Sequence, residues 1–590
     1  MNHFIKHRSR HAKIKKISLS FLVVLIYIIV IPIVDFNHQQ YKGKEGVVVW
    51  DIKSYYAYLP AAFIQKDLTL KFYEKDIQTW GKWIWPIETP TGKKAILTTM
   101  GMSCMYSPFF LIAHEYAKIS GKYAADGYSF PYHVALTFSA WVYFILGLIF
   151  LRKLLLRYFS DTATAFTILI IGFGTNLFYY VTYEAPMSHA YSFALISIFI
   201  YLVDQWRENS YNWKYSILLG LLAGLITLIR PTNAVALLLI PLFGIAAMKD
   251  FGKQVPVLLR QWPKIIVMAL LCILVWVPQF LYWHEVSGQF LFFSYGEDGS
   301  AFYFNHPRLL NILFSYRKGW FIYTPVMLFA ATGIVFLFKQ KRPFSFAVLI
   351  FFLVNLFILS SWWSWWFGGG YSNRAFIDSY GLMALPLAAL IDEFRTKKIA
   401  KALVITFLLI LTSFNLFQIQ QYRHQAIHYY WMNKEAYWED FLKSRPTCKY
   451  FNILNQPDVL KARTGIYEAV PIEDDKISKD DLFSFLEAEL KDKKPVTDSL
   501  QEVSQRKGQP YEQVTTNYIN YIIYSGQAKA EYKALRIAYL KSQMEGCKSW
   551  RKEIERKALK NNLTFDRMAS LEAERIFNAY SQKYIKKSVR

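Results

Sequence analysis

Cysteine is scarce in this chain. Among 590 residues there are four, Cys104, Cys272, Cys448 and Cys547. None falls in a CxxC or Cys/His spacing, so the cysteines give no reason to expect a metal site. A repeat of fixed period is missing too. Gly368, Gly369 and Gly370 are not followed by GK[ST], which rules out a P-loop. No small-residue cleavage signal follows the first apolar run. Acids are outnumbered, 43 Asp and Glu against 68 Lys and Arg, for a formal charge of +25. Such a charge could suggest nucleic acid. Much of the Lys and Arg flanks apolar runs, however, which fits membrane topology better, and no nucleic-acid partner is expected.

Apolar residues are abundant: 54% of the chain is hydrophobic and 18% aromatic. They cluster into runs of about 16 to 20 residues, the length that crosses ~30 Å of hydrocarbon. Spans are expected at 17–34, 132–151, 162–180, 188–204, 215–229, 232–248, 264–283, 322–338, 344–361, 375–391 and 400–418, about eleven in all. Segment 102–118 is apolar but short and carries Pro108, His114 and Glu115. It reads as an interfacial or re-entrant helix. The basic stretch 1–16 before the first span reads as the cytoplasmic flank of an uncleaved signal anchor. With that end inside, "LRKLLLR", "DQWRENSYNWK", "KQKR" and "DEFRTKK" fall in or beside inward loops, as the positive-inside rule asks. The expected protein is therefore an all-α polytopic membrane protein of the cytoplasmic (inner) membrane. It would have a transmembrane domain over 17–420, a large first outer loop over 35–131, and an extracytoplasmic helical region over 421–590. In that last region, patterns such as "KDDLFSFLEAELKD" space apolar residues three and four apart. Cys448 and Cys547 would then lie in an oxidising compartment, where a disulfide can form. Cys272 reads as packing inside a span.

This topology gathers the unusual polar clusters on the outer face, as expected of a site being built there. "VVVWDIKSYYAYLP" (47–60) sets Asp51 among aromatic residues, with Tyr55 and Tyr56 a turn on. Its carboxylate could act as a general base, bind a hydroxyl or cation, pair with Lys53, or simply be a solvated loop acid. "YEAPMSHAYS" places Glu184 and His189 at a membrane boundary around the turn at Pro186; a plain interface turn with tyrosine anchors is the alternative. In "LITLIRPTNAVALLL", Arg230 stands nearly embedded between apolar segments. It can hold an anionic headgroup or snorkel to the surface. "SSWWSWWFGGGYSNRAFID" combines tryptophans, including Trp363 and Trp366, with Arg374 at a helix start and Asp378 one turn further. The rings suit an interfacial belt or a sugar-stacking platform, and the arginine suits an anion. Loop 284–321, with His306, Arg308, Arg317 and Lys318, could be a lid or could read phosphate; ordinary loop chemistry would also account for it.

Together these pieces resemble the GT-C class of integral-membrane glycosyltransferases, of the protein-mannosyltransferase-like and bacterial lipid-sugar type. The likeness rests on the acid after the first span, the following "YYAYLPA", the "RPTN" helix break, and "WWFGGGYSNR" with "FID". It covers residues 17 to about 420 and leaves the C-terminal region out. It implies a polyprenyl-phosphate sugar as donor substrate, no cofactor, and transfer on the extracytoplasmic face. It also implies an acid of the first outer loop as base, which maps onto Asp51. Many relatives have two adjacent acids there. This chain has Ile52 beside Asp51, so a second acid would have to come from elsewhere, with Glu184 the candidate.

The expected function is a hexosyl- or pentosyltransferase acting on a glycan, lipid or protein acceptor. Asp51 and Glu184 would be the catalytic acids. Arg230, Arg374, Arg317 and Lys318 would hold the donor phosphate, with arginine charge in place of a metal. Tyr55, Tyr56, His189, Trp363 and Trp366 would contact sugar or acceptor. The alternatives are a transporter or flippase of lipid-linked sugars, a glycan polymerase or ligase, and a membrane anchor for the C-terminal helices. The first would favour mid-membrane charges and internal repeats, which are not found.

Overall fold

A computed structural model describes residues 17–43, 46–298, 300–455, 457, 459–465, 479–492, 494–525 and 527–580. The basic stretch 1–16 lies outside the described residues. The chain divides into two compact units. The first comprises 1–313, 320–367 and 372–416; the second comprises 314–319, 368–371 and 417–590.

The first unit is helical because its sequence is apolar over long stretches interrupted by helix breakers. Among the described residues, five helices are long and apolar enough to cross a membrane: Leu19–Lys42, Phe130–Tyr158, Trp262–Ser287, Arg374–Glu393 and Lys398–Arg423. Shorter apolar helices cover Asp161–Phe173, Trp213–Ile229, Pro231–Leu242, Val326–Lys339 and Ser345–Ser360. The expected span at 232–248 needs correction. It is a 3-10 turn over Pro231–Leu238 followed by the four-residue helix Leu239–Leu242. Pro231 and Pro241 each lack a backbone donor, so a continuous α ladder is not available there. Similarly, the run 162–180 divides at Gly174 into Asp161–Phe173 and Leu177–Thr182. The segment read as interfacial is a 20-residue helix, Gly101–Ser120.

Small residues permit a close helix contact. Gly220 and Gly224, one turn apart on helix Trp213–Ile229, face helix Trp262–Ser287. A Cβ on Gly220 would sit 2.8 Å from the Met268 Cα, and one on Gly224 2.8 Å from the Cys272 carbonyl oxygen. Only glycine permits that approach, the small-residue packing that serves where apolar lipid supplies no hydrophobic drive. One end of the bundle is tied by Asp161. Its carboxylate accepts from the Ser18 hydroxyl (2.6 Å), the Leu19 N–H (2.7 Å) and the Ser20 hydroxyl (2.5 Å).

The long first loop is itself folded. It carries helices Asp51–Tyr56 and Tyr58–Phe63, an antiparallel strand pair Pro86–Glu88 with Lys94–Ile96, and the Gly101 helix. An apolar cluster of Ala57, Tyr58, Ile84 and Ile96 packs it onto Tyr282, Trp283 and Val286 at the end of helix Trp262–Ser287. The Tyr282 hydroxyl accepts from the Ile96 N–H (2.8 Å), and Gln279 accepts from the Met100 N–H (2.8 Å). Asp51 therefore stands on an anchored segment rather than a free loop.

The second unit holds helices Lys434–Glu439, Lys479–Asp492, Lys494–Lys507, Tyr511–Tyr524, Gln527–Gly546, Lys548–Lys560 and Phe565–Ala579. Leu482, Phe485, Leu486, Ile519 and Tyr532 form one of its cores, the product of apolar positions three and four apart. Cys448 and Cys547 are joined as a disulfide, 99 residues apart in sequence. Replacing Cys547 with Ser is expected to cost this unit about 2 to 5 kcal/mol, because the open chain regains the entropy of a loop of roughly 100 residues. Non-reducing peptide mapping and thermal unfolding with and without reductant would measure both the bond and its effect.

Candidate functional site

The site begins at a helix start. Asn373 caps the 3-10 turn Arg374–Ser379 by accepting from the Ala375 N–H (3.3 Å). Its amide donates to the Trp365 carbonyl (2.9 Å), and its own carbonyl accepts from Asn176 (3.3 Å). The turn runs directly into helix Tyr380–Glu393; 94% of the apolar window of Arg374–Glu393 is buried, which makes this the central helix of its unit. A fixed cap on a buried helix gives Arg374 and Asp378, four residues apart, defined positions.

Each of these two residues takes an opposite charge from a distant part of the chain. The Arg374 guanidinium donates to the Asp51 carboxylate at 2.8 Å. Arg230 donates to Asp378 at 3.1 Å and to the His189 Nδ1 at 3.2 Å. Arg230 sits in the extended residue between helix Trp213–Ile229 and the Pro231 turn. His189 begins helix Ser188–Glu208, with its ring edge-on to Tyr180 (5.0 Å). The same Nδ1 lies 3.5 Å from an Asp378 carboxylate oxygen, and the buried Nε2 has no hydrogen-bond partner among the described residues. Tyr55 is in electrostatic contact with Asp51, Arg230 and Arg374. Burial, then the Asp51 charge, push its phenol above the usual range. Tyr295 feels the same three charged groups and is raised mainly by burial.

The pairs differ in exposure, and this decides what each can do. Asp51 keeps 42% of its side-chain surface open, against 18% for Arg374, 19% for Arg230 and 9% for Asp378. Asp51 is thus the carboxylate an incoming group can reach, while Asp378 serves as counter-charge. A guanidinium has five N–H donors. One given to Asp51 leaves Arg374 others for an anion, and Arg230 keeps donors beyond those given to Asp378 and His189.

The remaining expected residues are placed as follows. Glu184 accepts from the Tyr179 hydroxyl (3.0 Å) and lies within electrostatic reach of Arg374. Tyr56 faces away from the cluster. It is fully buried and donates to the Gly127 carbonyl, so it packs the first loop and does not contact substrate. Adjacent residues on a helix cannot face the same way, so Tyr55 and Tyr56 divide the two tasks. Trp366 is completely buried, edge-to-face with Trp363 and Trp365, and presents no ring face to a sugar. This tryptophan loop is pinned by backbone bonds from Trp363 N–H to Ala301 (3.1 Å) and from Tyr303 N–H to Ser361 (2.6 Å). Trp363 is half-buried in that packing.

Arg317 and Lys318 belong to the second unit. Arg317 donates to the Tyr430 carbonyl (2.9 Å), and the Lys318 ammonium lies over the Tyr422 ring. Close to them in charge is His428, whose Nδ1 accepts the N–H groups of Tyr430 (3.1 Å) and Trp431 (2.8 Å). Among the described residues no group of three or more His, Cys, Asp or Glu could hold a metal ion.

Sequence reasoning placed Asp378 one turn past Arg374 but gave it no part, and did not find Tyr295 or Tyr180. The four-residue spacing of Arg374 and Asp378 was the available signal. For the others, a lone Tyr in an aromatic-rich chain carries none.

No family model and no curated protein matches the chain. Comparison with solved structures finds the archaeal oligosaccharyltransferase AglB from Archaeoglobus fulgidus, determined in complex with an inhibitory peptide and a dolichol-phosphate. That protein is a GT-C class glycosyltransferase. The identity is 12% and the TM-score 0.37, over 77% of this chain and 59% of that one. The chain thus spans about three fifths of that protein's length, and at this score the likeness decides neither fold nor activity.

Two measurements check this arrangement. Asp378→Ala leaves Arg230 without its counter-charge and is expected to cost about 3 to 5 kcal/mol, while Arg230→Met with Asp378→Leu costs far less. Thermal unfolding of both variants in detergent reads the difference. For His428, burial and then the Lys318 and Arg317 charges lower the ring's pKa to about 4. An unfolded histidine titrates near 6.5. The stability held by the neutral ring is therefore complete above pH about 6.5 and is lost as the pH falls through about 4. The expected loss is on the order of 2 kcal/mol after allowing for partial exposure. Amide exchange over 425–433, corrected for its intrinsic pH dependence, should lose protection across that window, and His428→Gln should flatten the profile.

Proposed function

We propose that the first unit is a glycosyltransferase that moves a sugar from a polyprenyl-phosphate carrier to an acceptor hydroxyl, on the outer face of the cytoplasmic membrane. The observation that carries this reading is the convergence of Asp51, Tyr55, His189, Arg230 and Arg374 in a half-open cluster within an apolar helical unit. An accessible carboxylate supplies a base. Two arginines supply donors for a phosphate, and His189 adds a ring nitrogen with no partner among the described residues.

In the reaction, the acceptor oxygen attacks the anomeric carbon of the donor sugar. The bond from that carbon to the phosphate oxygen breaks, and the polyprenyl phosphate departs with the electron pair. Asp51 takes the acceptor proton. Arg374, Arg230 and His189 stabilise the departing phosphate, and Tyr55 contacts the sugar. The Asp51–Arg374 pair gives the order of events a physical basis. In the resting cluster Arg374 occupies one oxygen of Asp51. A bound phosphate competes for that guanidinium and frees the carboxylate oxygen for the acceptor hydroxyl when the donor is present. The disulfide of the second unit supports the outer face, since such bonds persist in oxidising compartments.

The test uses purified protein in nanodiscs with polyprenyl-phosphate sugars of several hexoses and pentoses. Asp51→Asn is expected to lower transfer about 100- to 10,000-fold while leaving donor binding intact. Transfer at the full rate by Asp51→Asn, or passage of the lipid-linked sugar across the bilayer without any covalent product, would overturn the reading.

A further inference from the structure

The second unit has a cleft of its own, about 610 Å³ in volume. One wall is helix Lys548–Lys560, on which Ser549, Lys552 and Arg556 share a face by their spacing. Trp438 and Phe441 also line it. Trp438 is 52% exposed and its indole N–H donates to the Tyr316 hydroxyl at 3.1 Å, which fixes the ring while leaving a face open. Trp550 also lines the cleft. It is 1% exposed, and its indole nitrogen has no hydrogen-bond partner among the described residues.

The charges around this cleft do not balance. Glu553 is occupied by Lys449 (3.0 Å) and Lys557 (2.9 Å), and Glu439 by Lys443 (3.3 Å) and Lys449 (3.5 Å). Those acids are therefore committed to other lysines. Lys552 and Arg556, one helical turn apart, have no ion pair among the described residues. Like charges at that spacing repel, and an anion between them would remove the penalty. The cleft thus combines an open aromatic face, a buried N–H donor in want of an acceptor, and two uncompensated cations.

We propose that this cleft binds an acidic saccharide, a sugar ring bearing a carboxylate or a phosphate. The apolar face of the ring stacks on Trp438, ring oxygens accept hydrogen bonds, and the anionic group sits between Lys552 and Arg556. As a binding site it stands on the second unit alone. As the acceptor class for sugar transfer it rests on the glycosyltransferase reading above.

The test is calorimetric titration of the full-length protein in phosphatidylcholine nanodiscs. The probes are trigalacturonic acid, glucose 6-phosphate, a neutral trisaccharide and inorganic phosphate. Saturable binding is expected for one or both anionic sugars, and which one binds separates carboxylate from phosphate. The double variant Lys552→Gln with Arg556→Gln should weaken that binding about tenfold or more, and Trp438→Ala about three- to tenfold, with unfolding temperatures unchanged. Asp51→Asn should bind as the wild type does, so a failure of the transfer reading leaves this result standing, and the reverse. No binding of either anionic sugar, equal affinity for the neutral trisaccharide or for phosphate alone, or unchanged affinity in the double variant would overturn the proposal.

Discussion

Charge compensation inside an apolar bundle is the constraint from which the first unit's architecture follows. Two guanidinium groups withdrawn from water would each cost several kcal/mol if left alone. The chain answers with two carboxylates, Asp51 and Asp378, so that acid and base alternate around one cluster. Neither pair is local: Asp51 meets Arg374 across 323 residues, and Arg230 meets Asp378 across 148. The pairing therefore holds the first loop, the Pro231 break and the central helix to one another as well as neutralising them.

The backbone explains why the arginines stand where they do. Both occupy helix discontinuities, Arg230 in an extended residue before Pro231 and Arg374 in a capped 3-10 turn. Inside a regular helix, each would project at an angle fixed by its neighbours. At a break, the side chain can turn toward a counter-charge on another element. The cluster is finished by aromatic hydroxyls and by a histidine whose Nδ1 touches both Arg230 and Asp378, while its Nε2 has no partner among the described residues.

Part of this could be read from the residues alone. Asp51, Arg230, Arg374 and His189 stood out because ionisable or polar groups in apolar surroundings need a reason to be there. Which acid meets which arginine could not be read, since hundreds of residues separate them. The paired tyrosines at 55 and 56 looked equivalent, and only the placement of their short helix distinguishes a cluster residue from a packing one. The tryptophan at 366 misled for a related reason: an indole that stacks on a ligand and one that fills a core have the same composition. Helix lengths were overestimated where hydropathy runs through a breaker, as at Gly174 and Pro231, because the apolar signal continues while the hydrogen-bond ladder does not. In the second unit, the three-and-four spacing made the helices legible, but the cation pair at Lys552 and Arg556 is ordinary until the neighbouring acids are seen to be taken.

The bond between Cys448 and Cys547 alters the covalent topology of the second unit. Most of that unit's helices lie on a closed ring of chain. A single cut anywhere inside the ring yields two polypeptides that still travel as one molecule until a reductant separates them. Damage to the backbone there need not become loss of the part.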